Sequence, residues 1–491
     1  MGLKIDRSDF SEQDFTMFQT ALEGDLADLT QLLNTPSFGE GPSSLGAELE
    51  MYLVDHAGRP LHANQAIHSA ARDPQLTLEL NRYNLEYNLS PQRMDASGFT
   101  RTEEEIVGRL RDLRELAAMH GGHVVPIGIL PTLRQSDFGA DCVTDLPRYH
   151  ALVKQLIERR GSDFCIDIDG ADPLRLDMAD ITLEGANTSF QVHYRVAPRA
   201  FADTFNALQL ATPLALAIGA NSPTLFGHSL WRETRIPLFK QSIDIRQRDR
   251  YSWSEPARVN FGRGWVRRGA FELFEEAVRL YHPLIPICTD DVPTAGNAAP
   301  ALQALRLHLS TVWLWNRPVY DPVDGGHLRI EMRALPAGPT AVDMVANAAF
   351  LIGLAEGLRG GINRLLPAIP FHIAEYNFYR AAQHGLQAKL VWPRHDQYRL
   401  REQPVVEIIA SLLPVAREGL ASVGVAAAEV DYYLGVIEAR LQARRTAADW
   451  QLETWRRLEK NGSSHQALHA MLDLFMQYSE ANRPVAEWPL P

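Results

Sequence analysis

The sequence predicts an α+β protein, because alternating strand patterns recur between long helical patterns. Four strands alternate apolar and polar residues, which is typical of a sheet with one face in the core. The first of these strands begins near residue 46 and the last ends near residue 335, so helical insertions must divide the sheet. The predicted organisation is an N-terminal helical segment at 1–40, a catalytic α+β domain at 41–340 with a helical insertion at about 200–316, and a helical C-terminal region at 341–491 packed on that domain.

The helices are predicted from apolar residues at helical spacing and from their end signals. Residues 10–34 form an amphipathic pattern, and Thr102 with Glu105 resembles a capping box that opens the next helix. Further helices are predicted at 342–365, 403–422, 427–446 and 449–460. Besides the Glu48 strand, strands are predicted at 76–80, 84–89, 123–130, 188–196 and 328–335.

The bulk composition excludes several classes of protein. The 491 residues are 46% hydrophobic and carry a net charge of -12, which argues against a general nucleic-acid or anionic-membrane surface. Three widely spaced cysteines without a CxxC pair predict a reducing compartment, and the N-terminal stretch lacks the apolar core of a signal peptide. The apolar stretch 207–220 is too short and too polar to span a membrane. A cytoplasmic protein is therefore expected, and its oligomeric state is left open.

The first strand, at residues 46–54, carries two acids on one face. Glu48 and Glu50 alternate with Leu49, Met51 and Leu53, so the two carboxylates share the face opposite the apolar residues. Neighbouring carboxylates repel each other unless a cation or a proton lies between them. Hard cations such as Mg²⁺ prefer oxygen ligands of this kind.

The other three strands repeat this division into an apolar and a polar face. Their polar faces hold Asn84, Glu86 and Asn88 on the second strand, Ser189, Gln191, His193 and Arg195 on the third, and Arg329, Glu331 and Arg333 on the fourth. Glu79 ends the preceding strand and can converge with Glu86 only across a hairpin.

A solvated sheet face is the simplest explanation of each strand taken alone. Such a face would normally include threonine and lysine, since β-branched residues favour strands and lysine is easily solvated. The acid-rich positions instead combine four carboxylates with one amide, one imidazole and one arginine: Glu48, Glu50, Glu86, Gln191, His193, Glu331 and Arg333. Taken together, the four strands indicate a site for metal and phosphate.

These motifs resemble those of the glutamate–cysteine ligase family, which is part of the glutamine-synthetase-like carboxylate–amine ligases. The matching pieces, in order, are the E-x-E strand at 46–50, the acid pair in LTLELNRYNLEYNLSP at 76–91, Gln191-Val192-His193 and Glu331-Met332-Arg333. The resemblance covers about residues 44–335, and the C-terminal helices match it only in being helical.

The resemblance implies a curved, mostly antiparallel sheet whose concave face binds two or three Mg²⁺ ions, ATP and an acid substrate. By position, Glu50, Glu86 and Glu331 would be metal ligands. Glu48, Glu79 and Gln191 would complete the coordination shells of the metal ions. His193 would also be a ligand, at a position where relatives carry asparagine or histidine. Arg333 and Glu48 are the predicted catalytic residues, with Arg333 stabilising the transferred phosphoryl group.

A further segment is similar to the family region that binds the substrate carboxylate. There Arg232 or Arg235 would clamp the α-carboxylate of a glutamate-like acid. The alternative is the start of a surface helix with arginine–glutamate pairing.

The predicted activity is ATP-dependent ligation of a carboxylate to an amine through an acyl phosphate, forming an amide that is γ-glutamyl if the acid is glutamate. The partners are ATP, an acidic amino acid and an amine whose identity is not readable. Two alternatives stay open: a metal-dependent hydrolase on the same acidic face, and an inactive ligase-like scaffold that binds nucleotide.

Overall fold

The central feature of the protein is a curled antiparallel sheet. The computed structural model describes residues 5, 7–246, 254–288, 299–393 and 399–491. The sheet has the strand order β13-β14-β8-β1-β3-β2, and β4 and β5 also pair with β1. Its strands are β1 (Ser44–Asp55), β2 (Leu76–Leu78), β3 (Asn84–Asn88), β4 (Gln92–Arg93), β5 (Gly122–Val125), β8 (Phe190–Arg195), β13 (Asn316–Asp321) and β14 (His327–Met332). The α+β fold class and the antiparallel sheet are confirmed.

Four two-stranded units accompany the main sheet. They are the pairs β6 (Phe164–Ile168) with β7 (Leu174–Met178), β9 (Thr224–Leu225) with β10 (His228–Ser229), β11 (Val259–Asn260) with β12 (Trp313–Leu314), and β15 (Lys389–Pro393) with β16 (Leu400–Pro404).

The helices fall into three groups along the chain. Those before the third polar strand are α1 (Glu12–Leu33), α2 (Asn64–Ala71), α3 (Gly98–Met119) and α4 (Pro147–Arg160). Those of the insertion are α5 (Phe201–Gly219), α6 (Arg235–Ser242), α7 (Phe271–Leu280) and α8 (Gln303–Leu309). The C-terminal ones are α9 (Ala341–Arg359), α10 (Ile362–Leu365), α11 (Phe371–His384), α12 (Val405–Ser422), α13 (Ala427–Ala443), α14 (Ala447–Glu459) and α15 (Ser464–Glu480).

One local prediction, the helix start at Thr102, is wrong. The helix predicted to open at Thr102 begins one turn earlier, at Gly98, and the Thr102 hydroxyl donates to the Gly98 carbonyl inside the helix. Glu105 instead accepts from the backbone N–H of Ser90, so it caps a neighbouring segment. The stretch 200–316, predicted as mainly helical, contains α5, α6, α7 and α8 among its described residues, and the strands β12 and β13 begin at Trp313 and Asn316 at its end.

The apolar face of the sheet packs against α5 and α9. Leu49, Met51 and Val192 are at most 2% exposed and belong to the same core as these helices. Helix α9 also crosses α12 at very short range. A Cβ atom on Gly419 would lie 1.9 Å from the Gly353 carbonyl oxygen, so only glycine permits this approach. The core behind the sheet is thus tightly packed, and the polar face is left for the site.

Helix α9 has the length and composition of a membrane span, judged over the described residues. In the structure 94% of its window is buried inside the protein, which is the position of a core helix. The apolar stretch 207–220 is likewise part of the core, and all of it except Ala220 lies in α5.

Candidate active site

The register of the sheet places the predicted acids side by side on its polar face. Glu50 lies directly opposite Glu86 across β1 and β3, and Glu48 lies opposite Gln191 across β1 and β8. His193 lies opposite Glu331 across β8 and β14. Because side chains opposite each other in an antiparallel pair share a face, the four strands contribute to one surface.

Three of these residues form a group with metal-ligating geometry. One ligand atom from each of Glu48, His193 and Glu331 lies within 4.8 Å of the others. His193 Nε2 is 3.1 Å from Glu48 Oε1, yet neither ring nitrogen of this buried histidine makes a well-aligned hydrogen bond. A buried imidazole without a hydrogen-bond partner, beside two carboxylates, fits the donor set of a divalent cation.

Two arginines hold Glu331, which is fully buried. Arg317 approaches Oε2 with Nη2 at 2.6 Å and donates to it from Nε at 2.8 Å, and Arg333 donates to Oε1. These guanidinium groups hold the pKa of Glu331 well below its usual range, against the opposing effect of burial. Arg317 also donates to the Leu309 carbonyl at 3.1 Å.

Arg333 joins this group to Glu50 through Gln191. Its Nη1 donates to Gln191 Oε1, and Gln191 Nε2 donates to Glu50 Oε1. The other oxygen of Glu50 accepts from the backbone N–H of Ser189 at 2.7 Å. The surrounding carboxylates raise the pKa of Arg333, so its charge is permanent.

A second part of the polar face is rich in carboxylates. Burial, with Glu48 and Glu50 nearby, raises the pKa of Glu86 to about 8, even though Thr77 and Asn88 each donate to it at 3.0 Å. The pKa of Glu79 is raised well above its usual value by burial and then by Glu86 and Glu50. Burial also raises the pKa of Glu50. Groups of this kind become ionised when a cation neutralises them.

The pKa of Glu48 is shifted in the opposite direction to that of Glu86. Burial opposes the ionisation of Glu48, but the neighbouring His193 and Arg333 lower its pKa overall. The polar face thus has one part around Glu331 where arginines compensate the carboxylate charge and one part around Glu79 and Glu86 where burial and mutual repulsion favour protonated carboxyl groups.

The two arginines predicted to bind a substrate carboxylate occupy different positions. Arg232 donates from Nε to Asp449 Oδ1 at 2.9 Å, which ties it to α14. Arg235 lines a small cavity that Glu50 and Arg333 also line, but its Nη1 is bound to Glu233 at 3.0 Å and to the Ala334 carbonyl at 3.1 Å. Arginine–glutamate pairing is therefore present at Arg235, and it is buried rather than at the surface.

Three polar residues at the site were not singled out from the sequence. Arg317 lies on β13, directly after the stretch 200–316 predicted as helical, where the sequence predicts no strand. Glu184 and Asn187 lie on and just after a short 3₁₀ turn at Thr182–Ala186, and both line the cavity beside Glu50. No strand or helix pattern marks such a turn.

A wide cleft opens next to the Glu331 group. Arg317 lines it together with Arg148, Arg306 and Arg329. Its apolar walls include Phe274, Leu307, Leu309, Pro318, Val319 and Tyr320. Positive charge beside apolar walls is suited to a ligand with an anionic chain and a flat ring.

Comparison with known proteins agrees with this picture. Residues 44–260 match the family model of glutamate–cysteine ligase family 2. A Frankia alni protein named "Putative glutamate--cysteine ligase 2-1" is 24% identical over 394 residues, which cover 78% of this chain and 85% of that protein.

The fold also matches a solved structure. The crystal structure of glutamate–cysteine ligase from Francisella tularensis in complex with AMP superposes with a TM-score of 0.51 at 11% identity, covering 92% of this chain and 90% of that one. The resemblance predicted from the sequence is confirmed: residues 44–260 are similar to glutamate–cysteine ligase family 2, and the chain has the fold of the glutamine-synthetase-like ligases.

Proposed function

We propose that this protein is an ATP- and Mg²⁺-dependent carboxylate–amine ligase that forms an amide, with glutamate as the acid, in the cytoplasm. The observation that carries the proposal is the placement of Glu48, His193 and Glu331 beside Arg317 and Arg333. Carboxylates with an imidazole can hold a cation, and arginines supply planar, permanently charged donors to phosphate oxygens.

The metal would be held by Glu48, His193 and Glu331, with Glu50, Glu79 and Glu86 as the ligands of further ions. When bound, Mg²⁺ neutralises the charge of the ATP phosphates. Phosphoryl transfer depends mainly on positioning and charge neutralisation, which is the role we assign to Arg333 at the transferred group.

The wide cleft is the proposed ATP site. Arg317 belongs both to this cleft and to the Glu331 group, so a triphosphate chain in the cleft would reach the cation site. The side chains of Arg148 and Arg306 make no hydrogen bond or ion pair within the described part of the chain, which leaves their guanidinium donors for an anion. The AMP complex of the Francisella tularensis enzyme supports a nucleotide on this fold.

In the proposed reaction an oxygen of the acid's carboxylate attacks the γ-phosphorus of ATP, and ADP leaves. The amine nitrogen then attacks the acyl carbon, the C–O bond to phosphate breaks, and the amine loses a proton. Arg333 stabilises the negative charge that is carried by the phosphoryl oxygens in both steps.

The decisive test uses glutamate labelled with ¹⁸O in its carboxyl groups, ATP, Mg²⁺ and a panel of amines that includes cysteine, other amino acids and polyamines. Amine-dependent ADP release with one ¹⁸O atom in the inorganic phosphate is expected, because the acid's oxygen stays on phosphorus. Amide hydrolysis without ATP turnover would favour the metal-dependent hydrolase. Nucleotide binding with neither activity would favour the inactive scaffold.

A further inference from the structure

A small cavity beside Glu50 contains two hydrogen-bond acceptors that lack donors. Glu184 makes no side-chain hydrogen bond or ion pair in the part of the chain that the structure describes. Asn187 uses its Nδ2 to donate to the carbonyls of Leu183 and Glu184, while its Oδ1 is buried and receives no hydrogen bond. Glu184 and Asn187 are called the acceptor pair below.

Aromatic rings form another wall of the same cavity. Phe239 and Trp315 both line it, with ring centroids 5.8 Å apart and planes at 75°. These two residues are called the aromatic pair. Aromatic faces attract cations, and this attraction grows when water is excluded.

The arginines that line the cavity do not satisfy the acceptor pair. Arg235 is bound to Glu233 and to two backbone carbonyls, and Arg333 is bound to Glu331 and Gln191. Each guanidinium charge is thus already matched by a carboxylate outside the acceptor pair. The carboxyl group of Glu184 and the Oδ1 of Asn187 therefore receive no donor from the described part of the chain.

We propose that the acceptor pair and the aromatic pair together form a subsite for a substrate ammonium group. This inference rests on the proposed ligase function, since it assigns a part of that reaction's substrates to named residues. An ammonium group offers three donors and a positive charge, which matches two acceptors, one of them a carboxylate, between aromatic rings. The ammonium can come from the attacking amine or from the α-amino group of the acid.

The first experiment needs no turnover and uses methylammonium as the probe, with methanol as a neutral probe of similar size. Trp315 lines the cavity, so methylammonium is expected to change the tryptophan fluorescence in a saturable way, and Trp315→Phe should remove that change. Glu184→Gln should weaken methylammonium binding about 10- to 100-fold, since a charge-assisted hydrogen bond is lost. The absence of a saturable response in the wild-type protein, or a response to methanol of equal affinity, would overturn the proposal.

The matched control is Glu276→Gln. Glu276 is a half-buried carboxylate on α7 whose side chain makes no hydrogen bond within the described residues, and burial raises its pKa. Because it lies outside the cavity, methylammonium binding should be unchanged in this variant. If Glu184→Gln fails to fold, Glu184→Asp keeps the charge, and the shorter side chain should still weaken binding measurably.

The second experiment identifies the source of the ammonium by turnover. Hydroxylamine, a neutral nucleophile, replaces the amine, and glutarate replaces glutamate. If the amine carries the ammonium, Glu184→Gln raises the KM for the amine about 10- to 100-fold and leaves hydroxamate formation unchanged. If the acid carries it, the variant raises the KM for glutamate and not that for glutarate.

Either outcome supports the subsite. If Glu184→Gln loses the same activity with glutarate as with glutamate, and loses it in the hydroxylamine reaction as well, Glu184 acts in phosphoryl transfer and the proposal is contradicted. A wild-type protein that binds methylammonium but forms neither hydroxamate nor ADP would refute the ligase function alone.

Discussion

Replacing Arg317 by methionine tests the claim that Glu331 is kept ionised by its arginines. Arg317 contacts Glu331 Oε2 through two nitrogens, at 2.6 and 2.8 Å, and Glu331 is fully buried. Breaking a buried pair typically costs about 3–5 kcal/mol. Since Glu331 retains Arg333, we expect a loss of about 3 kcal/mol in the free energy of unfolding at pH 7, at the low end of that range.

The loss should depend on pH with a definite sign. The pKa of Glu331 in the folded protein is lowered from its ordinary value of 4.5, so its ionisation stabilises the fold above about pH 4.5 and this stabilisation is lost as the pH falls. Arg317→Met raises the folded pKa towards the ordinary value. The wild type and the variant should therefore differ most above pH 5 and converge as the pH falls below about 4.5.

Urea unfolding, followed by tryptophan fluorescence at pH 7 and at pH 4, measures this difference. Arg329→Met is the control, because Arg329 lies on the same strand as Glu331 and pairs with Asp321 at 3.3 Å in a more exposed setting. Arg329→Met should lower the free energy of unfolding by less than about 1 kcal/mol. An equal loss in both variants, or a loss for Arg317→Met that is the same at pH 7 and pH 4, would refute the reasoning. In the activity assay, Arg317→Met should raise the Mg²⁺ concentration for half-maximal activity about 10- to 100-fold, because residues that hold a metal ligand in place commonly affect metal affinity to this extent.

Three further predictions concern other parts of the protein. Because the pKa of Glu86 is raised to about 8, the wild type should lose stability as the pH rises from about 4.5 to 8. Glu86→Gln should flatten this loss in thermal melts and abolish Mg²⁺-dependent ADP release. A steeper pH dependence in the variant would contradict this prediction. His193→Gln should keep the melting temperature within a few degrees and raise the Mg²⁺ concentration for half-maximal activity about tenfold or more, whereas an unchanged Mg²⁺ titration would remove His193 from the ligand set. Arg440→Met breaks an ion pair with Asp343 in which each side chain is at most 2% exposed, so it should lower the free energy of unfolding in urea by about 3–5 kcal/mol. Arg417→Met breaks an exposed pair and should lower it by less than about 1 kcal/mol. Similar losses in the two variants would contradict this prediction.

The sheet could be predicted because strand alternation is a local property. Glu48 and Glu50 share a face on any strand, and the observed register adds Glu86 and Glu331 to the same surface. The helices at 10–34 and 403–422 followed equally from their apolar spacing. The start of α3 did not, because Thr102 and Glu105 have capping-box spacing but bind other partners once the helix packs.

The remaining site residues depend on tertiary structure. Arg317 lies on an edge strand whose apolar neighbours Trp313 and Trp315 also suit a helix, so a local pattern does not decide between the two. Glu184 reaches the cavity from a 3₁₀ turn, and the position of that turn depends on contacts far away in the sequence. Its role becomes visible only when the partners of all the nearby arginines are known.

The two parts of the polar face pose different problems for a bound cation. Around Glu331 the carboxylates are ionised because arginines compensate them, so a cation there shares Glu331 with Arg317 and Arg333. Around Glu79 and Glu86 burial and mutual repulsion raise the pKa values, so a cation there must displace protons. Magnesium binding to the second part should therefore tighten as the pH rises towards 8, while binding beside Glu331 should change little over the same range. Such a division gives the end of the site proposed for phosphoryl transfer a fixed charge, and it leaves the other end responsive to the cations that would bind with the substrates.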